Sequence, residues 1–332
     1  MRAAVIGVGA MGRHHVRVYN EIEGVELAAV ADEQAGLAEK EAGRYRVPAY
    51  DDYRRMLAEV QPDLVTVAVP TSLHAEVALM ALEAGAHVLV EKPIAASLEE
   101  GRRMIRRAAE LGRVLTVGHI ERFNPALLEL RRRLQAGELG RVFAVHARRQ
   151  GTFPARIRDV GVTVDLATHE LDAMRCLLES EVVRLYAETQ RELHATHEDS
   201  VCALLRFANG AVGALEVDWL TPTKIRELSV TGERGMFLVN YVTQDLFFYE
   251  NAEGSGDWGT LQLLRGVSEG DMIRLSIPKK EPLRAELEAF VRAAAGEGPV
   301  VVSGEDGLAA LRLAQALVRS AQEHRALSGE EF

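Results

Sequence analysis

Cysteine, tryptophan and lysine are the scarce residues of this 332-residue chain. The 2 cysteines, Cys176 and Cys202, lie far apart and in no CxxC pair. A disulfide framework and a zinc knuckle are thereby excluded; both thiols read as buried apolar fillers in a reducing compartment. No apolar run approaches the roughly 20 residues of a membrane span, and the opening MRAAVIGVGAMG lacks the apolar core of a secretory signal. A cytoplasmic chain with no membrane partner is expected. Positive charge is also short: 39 Lys and Arg against 49 Asp and Glu give a formal net charge of −10. Binding a phosphate backbone needs a net basic face, so nucleic acid is excluded as a bulk partner. Only five basic residues are lysines (Lys40, Lys92, Lys224, Lys279 and Lys280), and one of them stands between Glu91 and Pro93 at the end of an apolar run.

A hydrophobic content of 48% over this length suits about two domains. In the first 120 residues, short apolar runs (Ala3 to Ile6, Val25 to Ala31, Leu64 to Val69, His87 to Val90, Val114 to Val117) alternate with helix-like stretches. Strands apolar on both faces in β-α-β-α order predict a parallel sheet covered by helices. Ser97 with Glu100 three residues on predicts a capping box for a helix running to Leu111. Beyond Gly118 strand-like segments dominate, separated by turns such as Ala208-Asn-Gly210 and Gly232-Glu-Arg-Gly235, which predicts an antiparallel meander. Helices are expected over Pro125–Leu134, Val162–Leu178, Pro282–Ala295 and Gly304–His324. The fold class is α/β: a doubly wound domain over 1–120, then an α+β domain over 121–332.

Gly7-Val-Gly-Ala-Met-Gly12 follows the first strand and opens a helix. Gly7 allows the tight turn, Gly9 lets a pyrophosphate approach the backbone, and Gly12 allows close helix–strand packing, with the helix N-terminus facing the phosphates. Ala10 and Met11 belong to the same loop. Asp32, twenty residues after Gly12 at the end of the second strand, is placed to bind the ribose hydroxyls. Asp32 and Glu33 together would repel a 2′-phosphate, so NAD is expected rather than NADP.

Open parallel sheets bind ligands beyond the carboxyl ends of their strands. Val67–His74, Val88–Pro93 and Val117–Pro125 all end at that edge, which makes Pro70, Ser72, His74, Glu91, Lys92 and His119 candidates for the cofactor site. Lys92 is then expected near the nicotinamide. In the second half, Asp165, His169 and Asp172 are spaced i, i+4, i+7 on one predicted helix face. His194-xx-His197-Glu-Asp199 lacks the helical spacing of a zinc site and reads as a polar turn, so no metal is expected.

The glycine motif with Asp32, Thr71-Ser-Leu-His74, Glu91-Lys92-Pro93 and Asp165-xxx-His169 together resemble the glucose-fructose oxidoreductase / inositol dehydrogenase / rhizopine-catabolism (Gfo/Idh/MocA) family of NAD(P)-dependent oxidoreductases. The likeness covers nearly the whole chain, including Val302–Gly307. It implies a Rossmann NAD-binding domain over 1–120, then a substrate-binding and oligomerisation domain over 121–332 with a large open, mostly antiparallel sheet that serves as the interface of a homodimer or homotetramer. It also implies that Lys92, Asp165 and His169 form the catalytic group of an alcohol oxidation. That reaction needs a base for the hydroxyl proton while hydride leaves, and an imidazole titrating near neutrality suits the transfer. His169 is then read as the general acid/base, Lys92 as the donor to the reacting oxygen and Asp165 as their orienting carboxylate, with Lys92 as the alternative base. Gly118-His-Ile-Glu-Arg-Phe-Asn-Pro125 resembles the subgroup that includes UDP-N-acetylglucosamine 3-dehydrogenases. Arg148, Arg149, Arg156 and Arg158 crowd the approach to the predicted helix, and guanidinium forks suit a diphosphate or carboxylate. Arg156 and Arg158 are therefore taken as substrate-binding residues with Lys92, Asp165 and His169, and the expected reaction is NAD-dependent oxidation of the 3-hydroxyl of a small-molecule nucleotide sugar, a UDP-N-acetylhexosamine. An inositol or free-sugar dehydrogenase is the alternative, followed by a non-catalytic NAD-sensing or partner-binding module.

Overall fold

The computed structural model describes residues 1–154, 160–251 and 269–332. The chain divides into two units, Met1–Phe123 with Glu281–Arg312, and Asn124–Lys280 with Leu313–Phe332. The sequence division at residue 120 makes no provision for the return of 281–312 to the first unit. An amphipathic pattern says that one helix face is buried, not against which partner.

In the first unit six strands, β1 (Arg2–Ile6), β2 (Glu26–Ala31), β3 (Ala49–Tyr50), β4 (Leu64–Val67), β5 (His87–Val90) and β6 (Leu115–Val117), form a sheet in the order β3-β2-β1-β4-β5-β6. Every pairing is parallel, as runs apolar on both faces require. The order reverses between β1 and β4, which opens a crevice at their carboxyl ends. The capping box is present, with the Ser97 hydroxyl accepting the Glu100 N–H at 3.2 Å and Glu100 accepting the Ser97 N–H at 3.1 Å. The returning helix Pro282–Ala294 puts Leu283, Leu287 and Phe290 into one apolar cluster with Tyr19, Ile22 and Leu89.

The second unit holds nine strands: β7 (Val142–Thr152), β8 (Val182–Gln190), β9 (Ser200–Phe207), β10 (Val212–Asp218), β11 (Leu220–Gly232), β12 (Gly235–Asn240), β13 (Asp245–Asn251), β14 (Glu269–Leu275) and β15 (Leu327–Ser328). Their order is β14-β13-β12-β11-β7-β10-β9-β8-β15. This is not one meander. Two meanders, β8 to β10 and β11 to β14, flank β7, and β10 pairs with β7 in parallel. Only Trp219 separates β10 from β11, and the register slips between Leu220 and Ile225, so the chain passes over the end of β7 by letting Thr221–Lys224 drop out of the ladder. Pro222 has no N–H to lose there. Along β9 burial alternates, so Val201, Ala203 and Leu205 face the core and Cys202 and Leu204 face outward. The expectation of two buried thiols is thereby corrected: Cys202 is exposed and Cys176 is half-buried. No helix among the described residues is long and apolar enough to cross a membrane.

Candidate active site

The loop after β1 is built around missing side chains. Gly7 has a φ of +87°, and a Cβ there would lie 2.5 Å from the Ala68 carbonyl oxygen; one on Gly12 would lie 1.7 Å from the Gly7 oxygen. Any side chain at either position would drive the first helix, Gly12–Glu21, off the β1 and β4 ends. Gly9 differs, because nothing lies within 4 Å of a Cβ built on it. Its bare backbone faces open space, and Ala10 and Met11 beside it are exposed.

Asp32 is held at the end of β2 by two backbone donors, Val8 N–H to Oδ2 at 2.9 Å and Gln34 N–H to Oδ1 at 3.0 Å. A carboxylate so fixed keeps lone pairs for further donors such as ribose hydroxyls. Gly7, Gly9, Asp32 and Pro70 line one cavity of about 500 Å³. Tyr53 and Arg54 line it too and were missed in the sequence. The signal was Asp52, which caps the helix Tyr53–Val60 by accepting the Arg54 N–H at 2.8 Å, just after the two-residue strand β3. The cradle that Gly9 leaves open, and a carboxylate anchored at the second strand, fit the pyrophosphate and ribose of a dinucleotide.

At the same sheet edge, the 3-10 turn Thr71–Leu73 carries exposed Ser72 and leads into buried His74. His74 bridges two loops, with Nδ1 2.8 Å from the Pro93 oxygen and Nε2 3.0 Å from the Val69 oxygen. Burial foremost, and the Lys92 charge last, keep its imidazole below the usual histidine range against the pull of the two carbonyls. Lys92 follows β5 and is half-buried, and His119 follows β6 and is buried. Glu91 is buried beside Lys92, and its Oε1 is 2.8 Å from His15 Nε2. Burial pushes the Glu91 carboxyl up, but the His15 hydrogen bond and the Lys92 charge outweigh it and hold the group below its usual range.

Glu286, from the returning helix, is 3% exposed, and neither carboxyl oxygen has a hydrogen-bond partner among the described residues. Burial, then the charges of Glu91 and Glu121, raise it well above the usual carboxyl range. A folded-state value above the unfolded one contributes stability that is complete below about pH 4.3 and is lost as pH rises toward the folded value. Glu286→Gln, uncharged at every pH, is therefore expected to gain on the wild type as pH rises. Urea unfolding from pH 5 to pH 8 should show a widening difference in midpoint; a constant difference would contradict a protonated Glu286.

In the second unit, the helix expected over Val162–Leu178 begins as a π turn, Thr163–Ala167, and becomes α-helical over Thr168–Leu178. The Thr168 hydroxyl donates back to the Val164 carbonyl at 3.0 Å across this wider turn. Asp165 therefore does not follow the 3.6-residue phase that joins His169 to Asp172. All three side chains are buried, Asp165 and His169 at 9% exposure and Asp172 at 1%, so this is no solvated stripe. Arg149 does not stand open to an anion: its guanidinium donates to Glu170, the residue after His169, and Tyr241 donates to the other Glu170 oxygen at 3.0 Å. Arg148 lies on the sheet within 3.5 Å of Glu216. Arg156 and Arg158 lie outside the described residues. His194 serves its own turn, its Nδ1 accepting the Thr196 and His197 N–H groups at 3.1 and 3.0 Å.

Comparison with known proteins follows the same two units. The pattern described as "Oxidoreductase family, NAD-binding Rossmann fold" matches residues 1–119, and that of the GFO/IDH/MocA C-terminal domain matches residues 127–238. The chain is 33% identical to the UDP-N-acetylglucosamine 3-dehydrogenase of Acidithiobacillus ferrooxidans over 92% of its length and 93% of that protein's. A solved structure of that dehydrogenase superposes with a TM-score of 0.85 at 31% identity, over 97% of this chain and 98% of the other. The chain is also 29% identical to the D-glucoside 3-dehydrogenase of Escherichia coli over 97% of this chain and 95% of that one. The scyllo-inositol 2-dehydrogenase (NAD(+)) of Bacillus subtilis is 30% identical over 67% of this chain and 68% of its own. With a glycine cradle on a 3-2-1-4-5-6 parallel sheet, a nine-stranded second sheet and matches to both halves, the chain belongs to the GFO/IDH/MocA family of oxidoreductases.

Proposed function

We propose that the chain is an NAD-dependent dehydrogenase that moves a hydride between the 3-position of a UDP-N-acetylhexosamine and nicotinamide. The similarity to the Acidithiobacillus enzyme over 92% of the chain carries the substrate reading. The E. coli relative, also named for the 3-position of a sugar, supports the position of oxidation. The choice of NAD rests on charge. Asp32, Glu33, Asp51, Asp52 and Glu76 line the cavity. Among the described residues that line it the one guanidinium, Arg54, is paired with Glu76 and stacked on the Tyr53 ring at 4.6 Å. A 2′-phosphate would meet uncompensated carboxylates there.

Bound nicotinamide supplies the hydride acceptor in oxidation and the donor in the reverse direction. In this reading His169 takes the hydroxyl proton as the C–H electron pair leaves, and the Lys92 ammonium donates to the oxygen on which negative charge grows. Asp165 orients them. The candidate cofactor set is Gly7, Gly9, Ala10, Met11, Gly12, Asp32, Pro70, Ser72, His74, Glu91, Lys92 and His119, with Arg156 and Arg158 proposed for the diphosphate. Self-association as a homodimer or homotetramer is assigned to the outward face of the nine-stranded sheet, where Leu204 is 58% exposed.

The test is incubation with NAD or NADP and UDP-N-acetylglucosamine, UDP-glucose, its uronic acid, myo-inositol or glucose, followed by absorbance of reduced cofactor and by product mass. Loss of two hydrogens from a UDP-sugar with NAD is expected. In Asp32→Ala the NAD KM should rise about 10–100-fold, the value of hydrogen bonds to a charged acceptor, and the preference over NADP should narrow. Turnover of myo-inositol alone would move the enzyme to the polyol branch, which the Bacillus relative represents.

A further inference from the structure

His15 plays no part in the chemistry above, yet it is completely buried, one turn into the helix that the glycine loop opens. Its Nε2 reaches Glu91 Oε1 at 2.8 Å. The other Glu91 oxygen, Oε2, accepts the backbone N–H of Lys92 at 3.2 Å. One carboxylate is thus tied on one side to the cofactor loop's helix and on the other to the main chain that carries Lys92. Room for it comes from Gly118 at the end of β6, where a Cβ would lie 3.1 Å from Oε2 and 3.4 Å from the Glu91 Cα. No side chain but hydrogen leaves the carboxylate where it is.

We propose that His15 is a positioning residue for Lys92, acting through Glu91: it cross-braces the glycine loop to the strand end that presents the lysine. This rests on the reading of Lys92 as the group that serves the reacting oxygen. Facing Glu91, His15 comes from the first helix, Lys92 and His74 flank the carboxylate at the sheet edge, and Glu286 approaches from the returning helix, itself faced by Glu121. Of these His15 is the side chain hydrogen-bonded to the carboxylate. Removing the imidazole leaves a buried carboxylate short of a donor, which then takes up a proton at higher pH. A protonated Glu91 can turn its O–H away and no longer hold the Lys92 main chain with a full charge.

Two variants separate positioning from bulk packing. His15→Leu fills the space without a donor, whereas His15→Gln restores an N–H at a similar reach. With the UDP-sugar and NAD, His15→Leu should lower kcat about 10–100-fold and carry the acid limb of the pH–kcat profile to higher pH, and His15→Gln should recover most of the loss. Equal losses in both variants, or a loss in His15→Leu with an unmoved acid limb, would overturn the proposal. A second readout needs no substrate. The lysines are reductively methylated with ¹³C, the Lys92 signal is identified by its absence in Lys92→Arg, and its shift is followed against pH. A Lys92 titration curve displaced in His15→Leu and returned in His15→Gln supports the brace; identical curves in all three proteins overturn it. Wild-type protein that turns over no sugar would defeat the substrate reading alone, because the lysine titration still decides the role of His15.

Discussion

Replacing His169 by alanine is expected to lower kcat with the UDP-sugar by about 10²–10⁴-fold, the usual contribution of a positioned acid/base. Lys92→Met should lose about 10²–10³-fold, as expected for removing one donor to a developing oxyanion. Both losses should fall on kcat and kcat/KM together, because each interaction strengthens only as the alcohol gives up its proton and hydride. NAD binding, followed by quenching of intrinsic fluorescence, should change less than threefold in His169→Ala. The pH profiles separate the two candidate bases. With His169 as base, His169→Ala abolishes the limb that rises through neutral pH and Lys92→Met keeps it. The reverse pattern would make Lys92 the base. Two full-length variants that both turn over within threefold of wild type would remove the catalytic assignment altogether and favour the NAD-sensing reading.

The dinucleotide half was legible because its constraints are local. Gly7 and Gly12 are needed where a Cβ would strike backbone 2.5 and 1.7 Å away, and such a requirement prints directly as a residue type. Asp32 stands where the sequence puts it, at the end of the second strand, with its carboxylate held by the Val8 and Gln34 N–H groups. What stayed hidden depends on partners distant in sequence. Glu286 reads as an ordinary polar position on a Pro-initiated helix, and only the return of 281–312 to the first unit buries it near Glu91. Tyr53 and Arg54 reach the cavity through β3, which is two residues long and too short to leave an alternation in the sequence. The π turn at Thr163–Ala167 is invisible to a 3.6-residue count, because one extra residue per turn changes no composition. Arg149 looked like an anion ligand by charge and neighbourhood. Its carboxylate partner lies 21 residues on, where a sequence window does not look.

That pairing sets the largest stability effect. Arg149 on β7 and Glu170 in the helix Thr168–Leu178 are 5% and 0% exposed, and Tyr241 adds both a hydroxyl donor to Glu170 and a ring face 5.5 Å from the guanidinium. Glu170→Ala takes that carboxylate away from a buried guanidinium, a change that costs about 3–5 kcal/mol for buried pairs broken on one side. The outcome is expected as a fall in urea midpoint for the second unit, with an unfolding transition that no longer coincides with that of the first. Charge-for-shape replacement should behave differently. Arg149→Met with Glu170→Leu removes both charges, so the double variant should recover most of the loss. With His169 as the proposed base, activity should not follow stability in that recovery, because Glu170 is the neighbour of His169 and its contacts bear on the turn that carries the imidazole. A double variant that is stable yet about tenfold slower would assign the ion pair to placing His169, since a displaced catalytic group loses rate without unfolding. Full activity in the stable double variant would confine the pair to holding the helix on the sheet.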